Sequence, residues 1–111
     1  MSFPAPGDSS IDTALDLNQL VKNPAATFFM RVDGDEMEKE CIHSGDLLLV
    51  DRSLEVVPGK LVVAAVNGML LVRRVAEVDR ALRLLKPGSQ TEESGEFEVW
   101  GVVSTVIHSV L

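Results

Sequence analysis

The stretch 28–51, FFMRVDGDEMEKECIHSGDLLLVD, constrains the fold more than any other part of the chain. Two apolar runs enclose two Gly-Asp turns, with room between the turns for roughly one turn of helix. Phe28, Met30 and Val32 alternate with Phe29 and Arg31, which predicts a half-buried strand over 27–32. Residues 47–50 carry no polar interruption and predict a strand buried on both faces. Gly34 and Gly45 supply the backbone angles that tight turns require. Two strands that pass a short turn between them hold it rigidly, and the side chain presented there is Glu36.

The rest of the chain continues as short strands and turns. Residues 60–66 and 69–75 flank Asn67-Gly68, a dipeptide that favours a type I′ hairpin. Asp79-Arg80 starts another turn, 82–85 is a short strand, and Lys86-Pro87-Gly88 ends it. Residues 89–95 read as a polar, acidic loop. The segment 97–110 is a long Val-rich strand with Gly101 as a bulge or kink. Ahead of all this, 16–21 can form one or two helical turns, with Asp16 as N-cap and Asn23-Pro24 as the stop. Residues 1–13, rich in Pro, Gly and Ser, predict a flexible N-terminal arm. Residues 14–111 then form one domain. The fold class is mainly β: a small twisted sheet or partly open barrel of six or seven strands, with one short N-terminal helix.

Composition narrows the function classes. The net charge of −7 disfavours direct binding to nucleic-acid phosphate. The close basic pair Arg73-Arg74 lies on a strand, where neighbours point to opposite faces. A single cysteine, Cys41, excludes an internal disulfide framework and is read as a buried structural thiol. His43 and His108 lack metal-ligand spacing, and His108, in an apolar strand, reads as a core or interface histidine. Asp33, Asp35, Glu36, Glu38 and Glu40 form an acidic cluster without the EF-hand spacing, and so read as a solvated face. No serine lies in a nucleophile-elbow pattern. No apolar run approaches the roughly 18 residues that span a bilayer, and no basic-then-apolar leader is present, so a cytoplasmic protein is expected, with no membrane partner. No cofactor and no metal are expected.

Several motifs, taken in order, resemble the LexA/UmuD family of self-cleaving serine–lysine proteins, and most closely its UmuD branch. Phe3-Pro4-Ala5-Pro6 resembles the segment just after the UmuD self-cleavage site. Asp16-Leu17-Asn18-Gln19-Leu20 and Pro24-Ala25-Ala26-Thr27-Phe28-Phe29 resemble the entry to the catalytic domain. Gly34-Asp35-Glu36-Met37 takes the place of the family's Gly-Asp-Ser-Met, and Ser44-Gly45-Asp46-Leu47-Leu48-Leu49-Val50-Asp51 matches the strand that follows. Ala64-Ala65-Val66-Asn67-Gly68 leads into Val72-Arg73-Arg74, where the family has Val-Lys-Lys. Trp100-Gly101-Val102-Val103 is similar to the last strand.

The resemblance implies a LexA C-terminal-type fold and places the family's nucleophilic serine at Glu36 and its general-base lysine at Arg73. Glutamate has no hydroxyl to activate, and arginine stays protonated and cannot serve as a base. The resemblance therefore implies a pseudo-peptidase with vestigial dyad positions Glu36 and Arg73, whose opposite charges can pair. It also implies a chain that begins near the family's cut. The expected role is that of a UmuD′-like homodimer supporting error-prone translesion synthesis in the SOS response. Its partners would be a UmuC-like Y-family DNA polymerase and, further, a RecA filament. The dimer contact is expected on the last strand, at Val99, Val103, Val106 and Ile107, read as an apolar sheet edge that a second copy covers. Two alternatives stay open: a self-cleaving peptidase with an altered active site, and the stand-alone dimerisation domain of a LexA-like repressor.

Overall fold

The computed structural model describes residues 17–108 and Val110. The expected arm at 1–13 and the N-cap at Asp16 lie outside them. Among the described residues six strands form one sheet: β1 (Thr27–Arg31), β2 (Leu47–Asp51), β3 (Leu61–Val66), β4 (Met69–Val78), β5 (Ala81–Leu85) and β6 (Phe97–Ile107). The order is β1-β2-β6-β3-β4-β5, every neighbouring pair is antiparallel, and the sheet does not close into a barrel. The expected short helix is a single 3-10 turn, Leu17–Leu20, with no buried residue. Pro24 starts a second such turn, Pro24–Ala26, and among the described residues the segment shows no α-helix.

Local sequence accounts for the hairpins. Asn67 and Gly68 both take positive φ, 51° and 79°, as a type I′ turn demands. Asp79 and Arg80 do the same at 51° and 65° without any glycine, and β4 and β5 pair tightly on either side. β1 alternates as expected. Phe28 and Met30 pack inward, while Phe29 is exposed. β2 is buried on both faces, with Leu48, Leu49 and Val50 all inaccessible. β3 divides its side chains between two apolar clusters. Val62, Ala64 and Val66 join Val75, Leu84 and Val102. Val63 joins Met37, Ile42, Leu48 and Val50.

β6 holds the two halves together, and here the structure corrects the sequence reading. In the strand order it lies between β2 and β3, not at the end of the sheet, although each of its halves pairs on one side only. Residues 97–102 pair with β3, whereas 102–107 pair with β2, so Val102 is the point of exchange. Two bulges allow this. Trp100 is skipped opposite Val63 and Ala64, and Ser104 is skipped opposite Leu49 and Val50. Gly101 lies beside the first bulge, where a Cβ would stand 2.7 Å from Val50 Cγ1. Val99 and Val103 pack against the two clusters and are not free for a partner. Val106 is exposed, Ile107 is half-buried, and residues 103–107 have a strand neighbour on one side only among the described residues.

Candidate functional site

The two Gly-Asp turns are tied to each other by backbone. The Val32 N–H donates to the Asp46 carbonyl and the Gly45 N–H to the Val32 carbonyl, each at 2.8 Å. Gly34 and Gly45 sit at φ of 97° and 92°, a region that side chains with a Cβ resist. Between the turns, Met37 and Ile42 are buried, and a 3-10 turn, Glu38–Glu40, bridges them. With both ends anchored in the core, Glu36 is held at the surface, about half exposed.

Opposite it lies Arg73, on β4, with its side chain only 5 % exposed. Arg73 Nη1 donates to Glu36 Oε1 at 3.1 Å and to its own neighbour's carbonyl, Val72 O, at 2.8 Å. Its Nε donates to Glu93 Oε2 at 2.8 Å. Burial disfavours the guanidinium charge, but the two carboxylates outweigh that cost and hold the pKa above the ordinary arginine value. The group is a fixed cation. Arg74 is paired separately, with Glu40 at 2.5 Å. That contact lowers the Glu40 pKa and raises that of Arg74. Consecutive residues leave a strand on opposite faces, yet both guanidiniums end on the same turn. A cavity of about 140 Å³ opens beside the pair, lined by Glu36 and by Met30, Val32, Leu48, Leu70 and Leu71.

Glu93 is the member of this cluster that sequence reasoning missed. It lies in the loop 89–95, read as polar and acidic. That loop instead folds back along β5: the Glu93 N–H donates to the Leu84 carbonyl and the Lys86 N–H to the Thr91 carbonyl. No periodicity marks it. The only clue is physical: a buried arginine needs more than one half-exposed carboxylate to satisfy its donors.

The remaining expected features are placed as follows. Cys41 is exposed, not buried. It ends the 3-10 turn at φ 60°, a left-handed conformation that carries its side chain outward. His108 lies one residue past β6 with half its side chain exposed, so it is not a core histidine. Its Nδ1 lies 2.5 Å from Asp46 Oδ1, and its ring centre lies 5.1 Å from that of His43. In the acidic cluster, Glu36 and Glu40 are committed to the two arginines. No three His, Cys, Asp or Glu side chains converge as a metal site among the described residues. No described helix is long and apolar enough to cross a membrane.

Asp46 is buried. The His43 backbone N–H donates to it at 2.9 Å, and with the His108 ring it holds the carboxyl below the usual aspartate range. A carboxyl depressed in the folded state contributes stability above its unfolded pKa of about 4. That stability is lost as pH falls through the lower folded value. Thermal melts should therefore show the wild type losing stability as pH drops below the ordinary aspartate pKa. Asp46→Asn should be less stable at neutral pH and flatter over that acid window. An unchanged acid slope in the variant would contradict this assignment.

The comparison with known families decides what this scaffold is. A family model described as Peptidase S24-like matches residues 1–103. The chain belongs to the S24-like peptidase family. Among its S24-like relatives, protein SamA of Salmonella typhimurium (strain LT2) is 38 % identical over 108 residues, covering 96 % of this chain and 77 % of SamA. Protein MucA of Escherichia coli is 35 % identical over 117 residues, covering 98 % and 77 %. The LexA repressor of Glaesserella parasuis is 31 % identical over 99 residues, covering 84 % of this chain but 47 % of the repressor. These matches confirm the LexA/UmuD resemblance read from the motifs, and the open antiparallel sheet agrees with the LexA C-terminal type of fold.

Proposed function

We propose that this S24-like chain is a non-catalytic, UmuD′-like accessory subunit. It supports error-prone translesion synthesis in the SOS response, as a cytoplasmic homodimer that partners a UmuC-like Y-family DNA polymerase, with a RecA filament as a further partner. The observation that carries the reading is the Glu36–Arg73 ion pair, formed where the family resemblance puts its serine and lysine. Serine–lysine cleavage needs a hydroxyl and a neutral amine beside it. Here a carboxylate stands beside a guanidinium whose pKa is raised further by its partners. Neither can take the missing role, and each neutralises the other. The relatives SamA and MucA, matched over nearly the whole chain, support the UmuD-like branch. Self-association draws support from Val106 and Ile107, which stand on the part of β6 that pairs with β2 alone among the described residues.

The test has two arms. Purified protein incubated with RecA and nucleotide, or at high pH, should show no cleavage on gels over a time course, and any dyad-like self-cleavage would overturn the non-catalytic reading. In co-purification with the cognate UmuC-like polymerase, wild type and the Glu36→Ser, Arg73→Lys double variant should bind equally. If neither binds, the polymerase role is wrong. The 31 % identity to a LexA repressor keeps one rival: the dimerisation domain of a LexA-like repressor. Binding to a helix-turn-helix protein in place of the polymerase would favour it.

A further inference from the structure

The geometry points to a site for a borderline transition-metal cation of the zinc class, built from the imidazoles of His43 and His108. It is separate from the Glu36–Arg73 site and independent of the polymerase role. The two histidines are remote in sequence, but the turn before β2 and the chain leaving β6 bring their ring centres to 5.1 Å, tilted by 55°. A zinc–nitrogen bond of about 2.0–2.1 Å places each imidazole centre about 3.2 Å from the ion. Two such rings at a tetrahedral angle have centres about 5.2 Å apart. The observed separation of 5.1 Å agrees with that spacing, and rotation of the two half-exposed rings is what would aim one nitrogen of each at the shared ion.

The surroundings fit the same use. His108 Nδ1 is committed to Asp46, a carboxylate only 1 % exposed, which leaves the Nε2 of His108 as its outward nitrogen. A carboxylate behind a histidine fixes the ring and its tautomer and makes the other nitrogen a better ligand. Asp46 is itself fixed by the His43 backbone N–H at 2.9 Å, so one buried group holds the His108 ring and the main chain that carries His43. Both rings are about half exposed and open to an ion from solvent. Glu38 Oε1, 4.0 Å from His43 Nδ1, adds negative charge at the rim. Since no third ligand converges among the described residues, water completes the coordination. Nitrogen donors select zinc, nickel or copper over calcium or magnesium.

Isothermal titration of the full chain with Zn²⁺ at neutral pH tests the site. We expect one saturable site. His43→Ala and His108→Ala should each weaken it at least about tenfold, and Asp46→Asn should weaken it by about 10–100-fold, as loss of such a buttress does. Cys41→Ala should leave it intact, and Mg²⁺ should not compete. No saturable binding at millimolar Zn²⁺, loss in only one of the two histidine variants, or loss in Cys41→Ala would each overturn the proposal. If Asp46→Asn fails to fold, the two exposed histidine variants still decide.

Discussion

Arg73→Ala should cost the fold about 3–5 kcal/mol, read as a shift in urea unfolding, because it strands a carboxylate that has little access to water. The asymmetry of the cluster makes this a sharp expectation. Arg73 is 5 % exposed and Glu93 is 18 % exposed, but Glu36 is 51 % exposed. Removing Glu36 leaves Arg73 with Glu93 and the Val72 carbonyl, so Glu36→Ala should cost no more than about 1 kcal/mol. Glu93→Ala should fall between the two. A double-mutant cycle on Arg73 and Glu93 should give a larger coupling than one on Arg73 and Glu36. Equal losses in Arg73→Ala and Glu36→Ala would show that the buried carboxylate is not what the arginine serves.

Ile42→Ala is the second large effect. Ile42 is 1 % exposed and belongs to the cluster that includes Leu48, Val50 and Val63. Its backbone N–H also donates to the Met37 carbonyl, closing the turn that carries Glu36. Truncation should cost about 2–5 kcal/mol as lost burial plus a residual cavity. Hydrogen exchange should then rise first at the amides of Glu40 and Cys41, whose acceptors lie inside the turn. A loss below about 1 kcal/mol would mean that the turn holds its shape without this anchor.

Much of this arrangement was legible in the chain, for local reasons. The alternation in β1, the unbroken apolar run of β2 and the Asn67-Gly68 turn each depend on a few neighbouring residues, and each stands where the pattern put it. The position of Glu36 followed from the two glycine turns. What could not be read depends on distant partners. Nothing in 97–107 says that it inserts between β2 and β3, since a Val-rich edge strand and a Val-rich interior strand look alike. Glu93 reaches Arg73 only because the loop after β5 turns back on itself. His43 and His108 meet only through the register of β6 on β2. Cys41 is exposed and not buried because it ends its turn at a left-handed backbone angle that cysteine rarely takes, which no local pattern announces.

The shared strand also sets a timetable. Because β6 completes both β1-β2 and β3-β4-β5 and is the last of the six in chain order, neither half can finish its core while β6 is still being synthesised. The two halves wait on one late, long-range event, the kind of non-local pairing that slows folding. During translation the nascent chain would hold Leu48, Val50 and Val63 in an unfinished core until that strand clears the ribosome.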